Sequence, residues 1–115
     1  MSAFRHLDVT KNGDEFAVRF LDQKLLDSAA DEVGAELYSV AAQAECNRLV
    51  LSFAGVDLLT SEMLGKVIVL NKKLRQKDGK LTLCDMGPYV REIFAVTRLD
   101  TILEIRESEG AKANA

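Results

Sequence analysis

Residues 55–74 read GVDLLTSEMLGKVIVLNKKL and mark the point where an apolar segment passes into an amphipathic helix. From Ser61 to about Lys77, apolar side chains recur at three- and four-residue steps, and lysine, arginine and amide side chains occupy the other side. The apolar positions are Met63, Leu64, Val67, Ile68, Leu70 and Leu74. KDG at 77–79 ends the predicted helix, because Gly79 can take the left-handed conformation that follows a helix C-terminus. The pattern predicts a helix with one face on a core.

Thr60 and Ser61 stand at the predicted start of this helix. The first N–H groups of a helix have no partner within it, and with the helix dipole they favour an oxygen or an anion there. Serine and threonine are common at that position as structural caps, and Glu62 in the first turn fits the same role. A phosphate on Ser61 would also be tolerated, because the helix terminus stabilises added negative charge. The residues alone leave both interpretations open.

The first half of the chain contains two strand-like runs, one helical pattern and one buried strand. The two runs surround Asn12-Gly13, a pair that tolerates the positive φ angles of a tight hairpin turn. Apolar residues then recur at helical spacing after Asp27 or Ser28, either of which could cap the helix. RLVLSFAGV at 48–56 has the composition of a strand buried on both faces, so we expect it in the middle of a sheet.

The second half predicts a further strand, a third helix and a closing strand. KLTLCDM at 80–86 is the strand, Gly87-Pro88 opens the helix, and TILEI at 101–105 closes the sheet. Strands that alternate with helices need crossover connections, which favours parallel pairing. We therefore predict an α/β fold with a mixed, mostly parallel sheet, an N-terminal antiparallel hairpin and three main helices. One domain is expected over 1–107, with a flexible tail over 108–115.

The composition points away from nucleic acid and membranes. The 115 residues include 15 basic and 18 acidic side chains, and the net charge of -3 gives no attraction to polyanions. The apolar runs fall far short of the ~20 residues that cross a bilayer, and the start MSAFRHLDVT lacks the pattern of a secretory signal. We expect a cytoplasmic protein whose partners are proteins.

The sequence lacks the usual enzymatic and metal-binding patterns. It has no glycine-rich phosphate loop, no His-Glu-x-x-His pair and no Gly-x-Ser-x-Gly elbow. Cys46 and Cys84 lie far apart, and the lone histidine, His6, is interpreted as a surface or rim residue, so neither a metal nor a cofactor is predicted. Asp57 after a buried strand is similar to the phospho-acceptor of a receiver domain, but the acidic pair that holds magnesium there is missing.

The chain resembles the anti-sigma factor antagonist family of STAS domains. VDLLTSEMLG, from Val56 to Gly65, aligns without gaps with the family pattern V-x-F-I-D-S-S-G-L-G. LRQKDGKLTLCDM and VREIFAVTRLDTILEI are similar to the family's next turn and strand and to its closing helix and strand. The resemblance covers nearly the whole chain after the hairpin. It implies a SpoIIAA-like fold.

The resemblance also implies a binding module rather than an enzyme. In that family the domain binds an anti-sigma factor that is also a serine kinase, and the kinase ends the complex by phosphorylating the serine at the helix start. The matching residue is Ser61, with Thr60 as the alternative acceptor. The implied binding residues, with two rim residues from the preceding loop, are Asp22, Lys24, Asp57, Thr60, Ser61, Glu62 and Met63.

Three positions depart from the family pattern. Thr60 replaces its aspartate, Glu62 its second serine and Met63 its first glycine. Met63 is interpreted either as an apolar contact for a partner or as a core residue of the helix stripe. The departures leave a second function open, a permanent STAS-like subunit of a transporter or sensory complex without reversible phosphorylation. The oligomeric state is left open too.

Overall fold

The structure, a computed structural model, describes residues 4–25 and 27–106, apart from the side chains of residues 24, 27 and 28. The strands in these ranges are β1 Leu7–Asn12, β2 Glu15–Phe20, β3 Lys24–Leu25, β4 Arg48–Ser52, β5 Leu58–Leu59, β6 Lys80–Cys84 and β7 Glu104–Ile105. The helices are α1 Asp27–Ala41, α2 Ser61–Arg75 and α3 Pro88–Val96, followed by a 3-10 turn at Leu99–Thr101. The predicted domain boundary at 107 and the tail 108–115 lie outside the described residues.

Five of these strands form one sheet in the order β1-β2-β4-β6-β7. The β1–β2 hairpin is antiparallel and the other three pairings are parallel, as the sequence predicts. β4 is the middle strand, which confirms the interpretation of its apolar composition. The crossovers β2 to β4, β4 to β6 and β6 to β7 all step in the same direction across the sheet. Right-handed connections therefore place all three helices on one face.

The core lies between that face and the helices. Alternate strand residues point into it: Phe16, Val18, Phe20, Leu49, Leu51, Leu81 and Leu83. α2 contributes Met63, Leu64, Val67, Leu70 and Leu74. The rings of Phe20 and Phe53 lie 5.2 Å apart and those of Phe53 and Phe94 5.8 Å apart, so aromatic contacts connect β2, the end of β4 and α3.

The opposite face of the sheet is open and carries cross-strand ion pairs. Arg19 on β2 contacts Asp8 on β1 at 3.4 Å, and Lys80 on β6 contacts Glu104 on β7 at 2.6 Å. The residues of β2 alternate between buried and exposed along its length, as expected when only one face is covered. The sheet thus has one face covered by the helices and one face on which ion pairs flank the buried residues Val50 and Thr82.

Two turns differ from the sequence prediction. Asn12 pairs with Glu15, so the hairpin turn is Gly13-Asp14 and only Gly13 takes a positive φ, +67°. After α2 the left-handed residue is Asp78, with φ 61°, and not Gly79. Gly79 is still required, because a Cβ there would lie 2.7 Å from the backbone oxygen of Asn47.

Candidate functional site

A short parallel ladder between β3 and β5 positions the start of α2. Leu25 pairs with Leu59, and both side chains are buried. The Asp57 N–H donates to the Gln23 carbonyl at 2.7 Å, and the Thr60 N–H donates to the Leu25 carbonyl at 3.2 Å. These bonds tie the segment before α2 to the segment before α1. The position of Ser61 is therefore set by backbone pairing.

Ser61 is the first residue of α2, and its side chain is exposed, as is that of Glu62. Thr60 is the N-cap residue, with φ −91° and ψ 165°, and its carbonyl accepts from the Leu64 N–H at 3.1 Å. The helix therefore begins where the sequence predicts. A hydroxyl at Ser61 projects from a positive helix end into solvent, where added negative charge is favoured.

The Thr60 hydroxyl neither caps the helix nor faces solvent. It makes no capping hydrogen bond, and its Oγ1 is buried without a hydrogen-bond partner within the described part of the chain. The prediction that this hydroxyl caps the helix is wrong. Thr60 stays a predicted alternative phosphorylation site, but the exposed Ser61 is the more accessible acceptor because the Thr60 Oγ1 is buried.

Met63 is fully buried, with 0% of its surface exposed. It belongs to the apolar stripe of α2 together with Val67 and Leu70, so the core interpretation is confirmed. The prediction of Met63 as an apolar contact for a partner is wrong, because one turn of a helix cannot present the same side chain to both the core and solvent.

Asp57 and Glu62 give the exposed edge around Ser61 an acidic character. Asp57 is exposed, and its carboxylate accepts a hydrogen bond from the Gln23 amide at 2.6 Å. The structure thus brings Gln23, which the sequence did not single out, next to a predicted site residue. The predicted Lys24 contributes its backbone to β3, and its side chain lies outside the described part.

Asp22 does not join this edge as a free carboxylate. Its Oδ2 lies 2.6 Å from His6 Nδ1, while His6 Nε2 lies 2.9 Å from Glu32 Oε1. Glu36 accepts from the backbone N–H groups of Arg5 and His6 at 2.9 and 3.0 Å. The cluster joins the start of β1, the loop after β2 and α1.

His6 is therefore a structural tie. Its side chain is 16% exposed, which fits the predicted rim position, and its two ring contacts were not predicted. The carboxylate of Glu32, and after it Asp22, raise the pKa of the imidazole above its ordinary value, against the opposite effect of burial. Binding by two carboxylates favours the doubly protonated ring, which can donate from both nitrogens.

Cys46 and Cys84 are both buried, and burial raises the pKa of the Cys46 thiol. Among residues 4–25 and 27–106 no three histidine, cysteine or acidic side chains are placed to hold a metal ion. The same ranges contain no helix of the length and apolar character that a bilayer crossing requires.

The fold and the exposed helix start define a known class of domain. The family model for the STAS domain matches residues 6–111, and the chain belongs to this family. BtrV of Bordetella bronchiseptica, whose name describes it as a candidate anti-sigma factor antagonist, is 35% identical over 94 residues. That alignment covers 81% of this chain and 80% of BtrV.

Solved structures show the same fold. An anti-sigma factor antagonist (STAS) domain protein from Planctomyces limnophilus superimposes with a TM-score of 0.82 at 18% identity, over 96% of each chain. The Bacillus cell fate determinant SpoIIAA, in its phosphorylated form, gives a TM-score of 0.72 at 16% identity, over 93% of this chain and 95% of that one. These likenesses confirm the predicted SpoIIAA-like fold.

Proposed function

We propose that this protein is an anti-sigma factor antagonist that binds an anti-sigma factor with serine kinase activity, and that phosphorylation of Ser61 ends the complex. The observation that carries the proposal is the exposed Ser61 side chain at the first residue of α2, on a backbone that the β3–β5 ladder fixes. The names of the relatives support the same class of function.

A phosphate on Ser61 would affect binding and leave the fold intact. A phosphate there adds about two negative charges at neutral pH, and the helix N-terminus stabilises them within the protein. The same charges would lie in a partly desolvated interface, next to the acidic edge of Asp57 and Glu62. Like charges in contact can cost several kcal/mol of affinity, and each ~1.4 kcal/mol is tenfold in binding. The modification would change a surface without unfolding a domain.

The binding surface includes Ser61, Glu62 and Asp57 with its neighbour Gln23. Both carboxylates are exposed, so a basic partner surface complements this edge. Asp22 acts through its contact with His6, which holds the loop that leads into β3. In this proposal Met63 supports the first turn of α2 from inside.

Phosphorylation is tested with the serine kinase of the same genome and ATP, followed by mass spectrometry. The wild type and Ser39→Ala, which removes an exposed serine of α1, should gain one phosphate, and Ser61→Ala should gain none. Wild-type protein that stays unmodified, or Ser61→Ala that is still phosphorylated, would contradict the switch.

Binding is tested separately by calorimetry with the same kinase. Ser61→Glu should bind at least tenfold more weakly than the wild type, whereas Ser39→Glu should bind equally well. Thermal melting of each variant shows whether the fold is intact. Equal binding by Ser61→Glu would place the partner elsewhere on the molecule.

The departures at Thr60 and Glu62 favour a second candidate function, a permanent subunit of a transporter or sensory complex. Glu62 already gives the first turn a fixed negative charge, which a phosphate-controlled contact would have to accommodate. A permanent subunit would be purified in a complex of fixed stoichiometry that ATP does not dissociate. A regulator would be released by ATP in the presence of its kinase.

A further inference from the structure

The second turn of α2 contains a glycine that the fold does not explain. Gly65 is exposed, and a Cβ built on it meets no heavy atom within 4 Å in the described structure. Gly34, in contrast, lies against the Lys66 stem, where a Cβ would come within 2.8 Å. Glycine makes a helix less stable than alanine does, and no close contact in the described monomer requires a glycine at position 65.

Gly65 lies at the centre of an outer face with an apolar middle. With 3.6 residues per turn, Gly65 points opposite to the buried stripe of Val67 and Leu70. Ile68 and Val69 follow one turn later, with 37% and 39% of their surfaces exposed. A bare backbone next to two aliphatic side chains allows a second helix to approach closely.

The charges on this face are arranged with opposite signs at its two ends. Glu62 lies in the first turn of α2, and Lys72 and Lys73 lie in the last. Along the sequence, Glu62 lies five residues before Val67 and Lys72 five residues after it. Gly65 and Val69 lie two residues before and after Val67. A second copy of the helix, antiparallel about a two-fold axis at the level of Val67, would place Glu62 opposite Lys72 and Gly65 opposite Val69.

We propose that two copies of this protein associate through the outer faces of antiparallel α2 helices. Val69 of each copy packs over Gly65 of the other, and Glu62 of each pairs with Lys72 of the other. Such a contact is isologous, so each interaction occurs twice. The occupant is a second copy because its charge pattern complements this face in sign and spacing. The proposal does not depend on the proposed function.

The contact is small, and this sets the expected strength. α2 is about 22 Å long, and one helix pair buries less than the roughly 1,200 Å² of a standard stable interface. The dimer should therefore be weak and depend on concentration, forming between micromolar and millimolar protein. It also includes Glu62, the residue after Ser61, so it would compete with a partner bound there.

Sedimentation equilibrium of the full chain over this concentration range tests the proposal. Glu62→Lys and Lys72→Glu, made singly, each place like charges in contact twice and should weaken the dimer about tenfold. The double variant restores opposite charges and should dimerise like the wild type. Lys11→Glu makes the same change of charge on β1 and should have no effect.

Gly65→Gln tests the close approach of the helices. It should weaken the dimer about tenfold or more, while the thermal melting temperature of the monomer stays equal or rises because the space above Gly65 is open. A wild type that stays monomeric at millimolar concentration overturns the proposal. So does a double charge variant that fails to recover, a Gly65→Gln variant that dimerises normally, or a Lys11→Glu effect equal to that of Lys72→Glu.

Discussion

Thr60 occupies the N-cap position of α2 while its hydroxyl is buried without a partner. An unpaired buried hydroxyl lowers stability by about 1–3 kcal/mol, whereas a capping hydroxyl raises it by about 1 kcal/mol. Removing the hydroxyl should therefore stabilise the protein in the first case and destabilise it in the second. We predict that Thr60→Val, which keeps the shape, raises the free energy of unfolding by about 1 kcal/mol. Urea denaturation measures this change, and a loss of similar size would show that the hydroxyl does cap the helix.

His6 makes stability depend on pH. Its pKa is raised in the folded state, first by Glu32 and then by Asp22, so the folded protein binds the proton more tightly than the unfolded chain. The stabilisation is complete below the unfolded pKa of about 6.5, and it is lost as the pH rises through the folded pKa. We predict that His6→Gln lowers stability more at mildly acidic than at mildly alkaline pH.

Urea denaturation of wild type and variant at several pH values measures this difference. Asp22 and Glu32, which contact the two ring nitrogens, are unchanged in the variant. Glu36→Gln keeps both ring contacts and removes only the weakest of the charges that raise the His6 pKa, so it should leave most of the pH dependence in place. A difference that stays constant with pH would show that His6 contributes by packing alone.

The sequence predicts Ser61 at a helix start, but neither the contacts of His6 nor the burial of the Thr60 hydroxyl. Ser61 was found because a helix start depends on neighbouring residues, which the apolar period makes visible. The partners of His6 lie 16 and 26 residues away on different elements, and no local pattern reports such distances. Burial at Thr60 was missed for the same reason, because it depends on how the β3–β5 ladder packs beside it.

α1 and α2 pack closely at Gly34, the glycine of α1. Gly34 lies against the stem of Lys66, whose Nζ pairs with Asp31 at 2.9 Å and whose carbonyl accepts from the Tyr38 hydroxyl at 3.4 Å. An added methyl group would have to displace the Lys66 stem and disturb its ion pair with Asp31.

We therefore predict opposite effects of alanine at the two helix glycines. Gly34→Ala gains about 1 kcal/mol of helix propensity but crowds Lys66 at a cost of ~1–3 kcal/mol, so a net loss of about 1 kcal/mol is expected. Gly65→Ala keeps the gain, because its space is open. Urea denaturation at low protein concentration compares the two, and stabilisation by both would show that α1 and α2 can separate at little cost.

At the scale of elements, the sequence predicts the long helices but not the shortest strands. α2 and α3 begin at the predicted residues, since an apolar period and a Gly87-Pro88 start are local signals. β3 and β5 have two residues each, which is too short for any period to be detected. The ladder that positions the candidate site was therefore invisible, although the site itself was not.

At the scale of the whole molecule, the sequence predicted the α/β class but not the strand order. Once the order β1-β2-β4-β6-β7 is known, the handedness of the crossovers explains why one face stays open. Mostly parallel sheets are usually covered on both faces. Here the pairs Asp8–Arg19 and Lys80–Glu104 satisfy charges across the open face, so water can cover it without a partner.

The covered face depends on Phe53, which touches Phe20 and Phe94 and is 1% exposed. Phe53→Ala should cost about 3–5 kcal/mol, a large share of the roughly 5–15 kcal/mol of a single domain, whereas Phe53→Leu, which removes less volume, should cost clearly less than Phe53→Ala. Tyr89→Ala, at a 55% exposed position, should change stability by at most about 0.5 kcal/mol. Urea midpoints at constant m-value measure all three. A small loss for Phe53→Ala would mean that the two layers are held together by the aliphatic contacts alone.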